Sequence, residues 1–304
     1  MNTSDTQLDP TMHPGTDVYG VIGNPVAHSK SPMIHAQFAQ QAGQNIYYGK
    51  LFSEVDHFTE TVNTFFDRGG LGLNVTVPFK MQAYELCTHL TDRAKAAGVV
   101  NILWKENGQF CGDNSDGVGL VRDIEQQPFP IANKNILILG AGGAVQGVIL
   151  PFLEKNPAHI WIANRTLEKA QMIVERFTEE ANNAGVQLQA LPTTQIQQIQ
   201  EPIHLIINGT STGLHGTSPL TQEQVNHIAK LRLANQPNNV QIAYDMVYGK
   251  ETDFMAQMRL AIIPAKDGLG MLVEQAAVAF ELWRNIAGQG RLNTAQVLEK
   301  LRLS

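Results

Sequence analysis

The sequence predicts an α/β protein of two units, and three observations carry that expectation. Strand-like and helix-like stretches alternate almost from end to end, the alternation pauses once at "QQPFPIANK" and restarts, and the restart is a fully apolar strand running into a glycine cluster. At 304 residues the chain also exceeds what one hydrophobic core usually organises.

The elements follow in order. "DVYGVIG" (17–23) reads as a strand, 31–42 as an amphipathic helix, "NIYYGKLF" as a strand, 56–67 as a helix and "GLNVTV" as the next strand. "NVTVPFK" (74–80) alternates apolar and polar residues until Pro78, which cannot donate to a ladder and holds Val77 extended, so pairing stops and Lys80 is thrown beyond the carboxyl edge of the sheet. Ligands of α/β proteins bind outside that edge. "VVNILW" and "GQFCGD" read as an antiparallel pair turning at Glu106-Asn107-Gly108, with Asn101 inside the first strand. "NILILG", "HIWIAN", "LIING" and "QIAYDM" are the strands of the second unit, and "MLVEQAAVAFELWRNIAG" has apolar residues at helical spacing. No internal repeat or low-complexity tract is present, and the polar residues 1–16 are expected to be a disordered extension.

With 43% hydrophobic residues and a net charge of −6, the chain reads as an ordinary globular protein, without a broad nucleic-acid-binding face. Any anionic ligand is then met by a few local cations. Cys87 and Cys111 are too few for a disulfide framework or a zinc cluster, so no metal and a reduced compartment are expected. No apolar run reaches the roughly 18 residues of a membrane span and no secretory signal opens the chain, so a cytoplasmic protein without membrane partners is expected.

"ILILGAGGAVQG" places Gly140, Gly142 and Gly143 between a buried strand and a helix start, where glycines let backbone N–H groups approach a pyrophosphate. The third glycine of the usual G-x-G-x-x-G spacing is Val145 here, and on its own the run could be only a tight turn. The next strand ends at Asn164, where an NAD site carries an acid for the ribose hydroxyl. Here "NRTLEK" offers Arg165 and Lys169 and no acid at the tip, which favours a 2′-phosphate and therefore NADP over a merely solvated helix start.

Four further stretches are polar at element ends. "HSKSP" sets Ser29 and Ser31 before a helix, as caps or as ligand groups. Asn101 places an amide that needs partners in an apolar strand, Asp116 of "GDNSDG" either caps the helix beginning at Gly117 or serves a site, and "YDMVYG" brings Tyr244 and Tyr248 to a strand end. Their number favours one shared ligand site.

Taken together, "GNPVAHSKSP", "NVTVPFK", "GDNSDGVG", "GAGGA", "NRT", "YDMVY" and "DGLGMLVEQA" resemble, in order from about residue 18 to 286, the shikimate dehydrogenase family. The resemblance implies NADPH-dependent reduction of 3-dehydroshikimate to shikimate in aromatic amino-acid biosynthesis. It implies an N-terminal α/β substrate domain (17–117) completed by C-terminal helices (267–304), with a Rossmann-type NADP-binding domain (118–266) inserted between them, as a monomer or homodimer. By matching motifs it implies Lys80 and Asp116 as the catalytic pair, and Ser29, Ser31, Thr76, Asn101, Tyr248 and Gln275 as substrate ligands. It further implies Gly140, Ala141, Gly142, Gly143, Ala144, Asn164, Arg165, Thr166, Lys169, Met246 and Gly268 around the cofactor. The chain departs from the family pattern at Ile102 and Ser115, where threonine is usual, and at Gln146 and Lys169, where arginine is frequent.

Reducing a ketone needs a hydride on carbon and a proton on the nascent alkoxide, and a lysine within hydrogen-bond reach can supply the proton. Asp116 would orient that ammonium and a substrate hydroxyl, while neutral hydroxyls from Ser29, Ser31 and Tyr248 suit a substrate carboxylate. Two alternatives remain open on the residues: a quinate/shikimate dehydrogenase using NAD, against which "NRTLEK" counts, and an idle NADP-binding sensor, which would need neither Lys80 nor Asp116.

Overall fold

The structure, a computed structural model, describes residues 6–126, 129–210, 217–231, 240–290 and 292–303. The chain divides into two compact units, 1–119 with 273–304, and 120–272.

The first unit runs β1 (Asp17–Gly23), α1 (Ser31–Ala42), β2 (Ile46–Phe52), α2 (Phe58–Asp67), β3 (Gly70–Val75), α3 (Lys80–Leu86), β4 (His89–Leu90), α4 (Asp92–Ala97), β5 (Ile102–Glu106), β6 (Gln109–Asp113) and the start of α5 (Asp116–Glu125). Its six-stranded sheet has the order β2-β1-β3-β5-β6-β4. β1 pairs parallel with β2 and β3, while β5 pairs antiparallel with both β3 and β6. The carboxyl ends of β1, β2, β3 and β6 and the start of β5 therefore share one edge, and every polar segment noted in this half of the sequence leaves from it.

Local chemistry explains the elements. α2 spaces Phe58, Val62, Phe65 and Phe66 on one face, which packs with Leu73, Val75 and Leu103 of the sheet. The β5–β6 hairpin turns at Asn107 and Gly108 with φ of 51° and 79°, the two positive angles a type I′ turn requires. Two boundaries differ from expectation. β3 stops at Val75, before Thr76 and Val77, and Asn101 precedes β5, although its N–H and C=O still bond to Asp113 and Val75 on either side.

The expected disorder of 1–16 is corrected for residues 6–16. Gln7 bridges to Leu51, Leu8 packs against the sheet core, Asp9 pairs with Arg68 at 2.8 Å and His13 stacks on Tyr47. The physical reason lies in two facing glycines. A Cβ on Gly20 or on Gly49 would lie 2.5 or 2.6 Å from the Leu8 side chain, so the bare backbones of β1 and β2 form the recess that Leu8 fills. Residues 1–5 lie outside the described residues.

The second unit runs β7 (Asn135–Leu139), α6 (Gly143–Leu153), β8 (His159–Asn164), α7 (Leu167–Arg176), α8 (Thr178–Ala184), β9 (Gln187–Pro192), β10 (Leu205–Asn208), α9 (Gln222–Lys230), β11 (Ile242–Asp245), α10 (Asp253–Leu260) and β12 (Ala265–Lys266). All six strands are parallel in the order β12-β11-β10-β7-β8-β9. Counted from β7, that is the 3-2-1-4-5-6 order of a Rossmann sheet, and the strand order reverses between β7 and β10, where such sheets bind dinucleotides. The apolar run of β7 is buried throughout from Ile136 to Leu139, as a strand covered on both faces should be.

α11 (Leu269–Arg284) and α12 (Thr294–Leu303) complete the fold, and from Val273 onward the chain belongs to the first unit. Both boundaries between units fall inside helices, α5 and α11, so the second division comes within α11 and not before it. In the first unit α11 lays Val278 and Ala279 on Ile102 and sets Trp283 over Gly72, where a Cβ would come within 2.6 Å of the indole.

α10 ends in a Schellman motif: the N–H of Ile263 donates to the Met258 carbonyl and that of Ile262 to the Arg259 carbonyl. The left-handed position is filled by Ile262 at φ 61°, an exposed β-branched residue where glycine is usual. Replacing it with glycine should raise stability by about 1 kcal/mol, since the left-handed conformation costs an L residue about 1–2 kcal/mol; equilibrium urea unfolding measures this.

His35 is fully buried between Phe38, Tyr48, Phe280 and Trp283, and burial pushes its pKa down from 6.5 to about 3. Between those values the unfolded chain binds a proton that the folded chain does not, so this contribution to stability is complete above the unfolded value and falls with pH below it. Going from near pH 7 to about pH 5 should remove about 2 kcal/mol through this group, and His35→Phe should flatten that part of the stability profile in urea titrations.

Candidate active site

In the first unit the edge of the sheet gathers a charged pair and three amides. Lys80, the first residue of α3, donates from Nζ to Asp116 Oδ2 at 2.5 Å. Asp116 opens α5, where the positive end of the helix favours a carboxylate, and it is 8% exposed. Its other oxygen accepts from Asn101 Nδ2 at 2.8 Å. Asn114 Oδ1 takes the Asp116 N–H at 3.1 Å.

Asn101 is buried, and its amide can stand only one way round. Oδ1 accepts the Ser115 N–H at 2.9 Å, which turns Nδ2 toward Asp116, toward Ser115 Oγ at 3.1 Å and toward Gln275 Oε1 at 3.5 Å. Ser115 Oγ in turn donates to the Gln275 carbonyl at 3.1 Å, so the hydroxyl retained at this position ties the start of α5 to α11. A Cβ on Gly119 would lie 2.8 Å from the Gln275 backbone nitrogen; the two helices approach this closely only because residue 119 lacks one. Ile102, by contrast, is core packed on Val278 and Ala279, so the threonine it replaces would put a hydroxyl among apolar side chains.

Ser29, Ser31 and Thr76 leave the same sheet edge. No side chain caps α1; Ser29 Oγ accepts the Ser31 N–H at 3.3 Å, and Ser31 is the first residue of the helix. Lys50 of β2 donates to the Ala27 carbonyl and Asn24 donates to the Ser53 carbonyl at 3.0 Å, fixing the loop that carries Ser29. The Thr76 methyl lies 2.5 Å from where a Gly23 Cβ would stand, so β1 must end in glycine for Thr76 to fit.

In the second unit the residues expected around the cofactor leave the carboxyl edge of the parallel sheet. Gly140 follows β7 at φ 106°, and its Cβ position lies 3.2 Å from the Gly209 backbone after β10. Gly142 starts α6 without a side-chain cap, with Gly143 and Ala144 exposed beside it and Ala141 half-buried, which leaves the first N–H groups of the helix available to an anion. Val145 is fully buried, and its Cγ2 lies 2.5 Å from where a Gly209 Cβ would be. The small residue missing at 145 is thus supplied from the opposite strand end.

Asn164 ends β8 and donates to the Thr166 carbonyl at 2.8 Å, while Arg165 and Lys169 are exposed beside it. Met246 and Tyr248 follow β11, and Gly268 follows β12 with its Cβ position 2.4 Å from the Met246 carbonyl oxygen. Burial raises the Tyr248 phenol. Tyr248 and Gln275 were expected to share a role, but Tyr248 belongs to the second unit and Gln275 to the first.

Tyr244 is corrected: it is buried, and its hydroxyl donates to Asp123 at 2.7 Å and accepts the Met271 N–H at 3.2 Å. Three groups escaped sequence reasoning. Asn74 and Tyr48 form a buried pair at 2.7 Å, and the buried Asp123 pairs with the part-exposed Lys266 at 2.7 Å. Asp245 accepts from Asn208 and Thr252 and thereby braces the loop carrying Met246 and Tyr248. The signal for all three was a polar residue inside an apolar element.

A lysine paired with a carboxylate at one sheet edge and a bare helix N-terminus on a Rossmann sheet are parts found in nicotinamide-dependent oxidoreductases. Comparison with known proteins agrees. Residues 21–103 match the family model described as shikimate dehydrogenase substrate binding domain, 123–244 that of shikimate / quinate 5-dehydrogenase, and 268–288 that of shikimate 5'-dehydrogenase C-terminal domain. The curated shikimate dehydrogenase (NADP(+)) of Cupriavidus pinatubonensis is 45% identical over 290 residues, 94% of each chain. The crystal structure of an Ael1 enzyme from Pseudomonas putida superposes with a TM-score of 0.81 at 36% identity, covering 94% of this chain and 98% of that one. Shikimate 5-dehydrogenase from Thermus thermophilus, in complex with NADP(H) and shikimate, does so at 0.77 and 26% identity over 95% and 99% of the two chains. With its matched models covering both units and a relative of this identity along nearly its whole length, the chain belongs to the shikimate dehydrogenase family.

Proposed function

We propose that the protein is an NADP-dependent shikimate dehydrogenase, interconverting 3-dehydroshikimate and shikimate. The observation that carries this reading is the Lys80–Asp116–Asn101 cluster at 2.5 and 2.8 Å, standing at the edge of a sheet whose family relatives act on shikimate. NADP supplies or accepts the hydride when bound. Lys80 gives its proton to the substrate oxygen as the ketone is reduced and steadies the charge developing there, and in the reverse direction takes it back. Asp116 holds the ammonium and leaves its exposed side to a substrate hydroxyl, with Asn101 fixing its direction. Ser29, Ser31 and Thr76 supply neutral donors at the same sheet edge.

The cofactor fits the chain's own residues. Gly140 through Ala144 offer the uncapped start of α6 to the pyrophosphate, Arg165 and Lys169 offer two exposed cations to the 2′-phosphate, and Asn164 and Thr166 close the adenosine end. Met246 and Gly268, which follow β11 and β12, would line the nicotinamide end of the cofactor. The reading carries with it a place in aromatic amino-acid biosynthesis and a cytoplasmic compartment, where the free thiols of Cys87 and Cys111 stay reduced.

The direct test is NADP reduction, followed by absorbance, with shikimate and with quinate, and each again with NAD. Shikimate with NADP should be the fastest pair, and no turnover of shikimate with either cofactor would overturn the reading. Lys80→Ala and Lys80→Met should each turn over about 10²- to 10⁴-fold more slowly, the loss expected for a positioned acid-base group, while folding and NADP affinity survive. Normal turnover in either folded variant would return Lys80 to the status of a turn residue. Arg165→Ala should weaken NADP binding by about 1.5 to 3 kcal/mol and NAD binding far less, because only NADP carries the 2′-phosphate; titration calorimetry with both cofactors checks this.

A further inference from the structure

Asn74 opens the stretch that ends in Lys80, yet nothing in the proposed chemistry uses it. It is a buried amide on β3, and Tyr48, on β2, reaches across β1 to donate its O–H to Asn74 Oδ1 at 2.7 Å. The Tyr48 ring is itself clamped, stacked on His35 with centroids 3.9 Å apart and planes at 6°. Because the phenol donates, Oδ1 must be the amide end that faces it. The other end, Nδ2, is thereby aimed at the Asn101 carbonyl and donates to it at 3.2 Å. That carbonyl also takes the Val75 N–H at 2.9 Å, and the Asn101 N–H is held by Asp113 at 3.0 Å, so the peptide of Asn101 is tied on both faces.

We infer that Tyr48 and Asn74 are positioning residues of the reaction: through the Asn101 peptide they set the direction of the Asn101 amide, and hence of the Asp116 carboxylate that holds Lys80. Every link has a fixed donor and acceptor. Tyr48 O–H donates to Asn74, Asn74 N–H to the Asn101 carbonyl, Asn101 N–H to Asp116 Oδ1, and Lys80 to Asp116 Oδ2. The first two bonds polarise in one sense in a buried setting, and beyond them the constraint passes from the Asn101 backbone to its side chain by position alone. Burial raises the Tyr48 phenol well above its usual range, which keeps the O–H a donor at any working pH, and the Ser31 hydroxyl offsets part of that rise. A residue assigned to the substrate thus stands at the near end of the same chain.

The inference rests on the reading of Lys80 and Asp116 as the reacting pair, which the Lys80 variants test independently. Tyr48→Phe keeps the ring and its stacking on His35 but removes the donor, freeing the Asn74 amide to turn its oxygen toward the Asn101 carbonyl. Asn74→Asp keeps an acceptor for Tyr48 but cannot donate to Asn101. In each folded variant kcat should fall about 10- to 100-fold, the scale of a small misplacement of catalytic groups. The pH–rate profile should be displaced from the parent's, while NADP affinity measured by fluorescence quenching stays unchanged. A pair that only packs would lower the thermal midpoint and leave kcat and the pH–rate profile at parental values. That result in either folded variant overturns the inference, whereas a parent that is itself inactive on shikimate overturns the functional reading.

Discussion

A carboxylate that is nearly closed off from water has to be met by donors on both oxygens, and at Asp116 that requirement organises the whole edge of the first sheet. Lys80 meets one oxygen and Asn101 the other. Lys80 can do so because β3 stops at Val75 and α3 begins at Lys80, and Pro78 between them offers no donor with which pairing could resume. Asn101 can do so only if its own oxygen is occupied, which the Ser115 N–H provides. Ser115 then reaches the Gln275 carbonyl, so the same network fixes where the C-terminal helix meets the sheet. Charge, capping and helix packing here are consequences of one buried group's need for partners.

On the second unit the corresponding constraint is close backbone approach. Strand order reverses between β7 and β10, and at that point a Cβ on Gly140 would lie 3.2 Å from the Gly209 backbone and one on Gly209 2.5 Å from the Val145 side chain. The glycine absent at 145 loses its importance once Gly209 is seen to make the space that the Val145 side chain fills. A fingerprint written along one segment is a condition on volume at a junction of two strand ends, and either side of the junction can satisfy it.

What could be read from the sequence follows from the same physics. Strands and helices were legible because their apolar periods are local, and the hairpin at Asn107-Gly108 because only those residue types accept two positive φ angles in succession. Lys80 and Asp116 were legible as charged residues at element ends. Leu8 was not, since the recess it fills is made by glycines on two strands that pair only in the fold. Tyr244 and Tyr248 looked alike in sequence, and only the buried Asp123 carboxylate shows that Tyr244 turns inward while Tyr248 stays at the edge. Asn74 was hidden for a related reason: its partner lies on a strand not adjacent to its own, and no local pattern reports a bond that passes over a neighbour.

The same comparison of buried carboxylates explains why one ion pair is suited to chemistry and its counterparts are not. Asp113 is sealed, its side chain 0% exposed, and its cation is Arg93, whose guanidinium does not give up a proton. Asp123 is likewise 0% exposed; Lys266 holds one of its oxygens, Tyr244 the other, and Gly270 presses against it so closely that a Cβ there would lie 2.0 Å from Oδ1. Neither leaves room for a substrate oxygen, and pairs of this kind specify structure more than they add stability. Lys80 and Asp116 keep 28% and 11% of their side chains exposed while each still has a partner. A lysine can deliver a proton, and this one can be reached; its carboxylate is held by an amide on the buried side and is open on the other. Lys80 and Asp116 are thus set apart by incomplete burial, and the hydrogen bonding behind them keeps a half-open ion pair in one geometry.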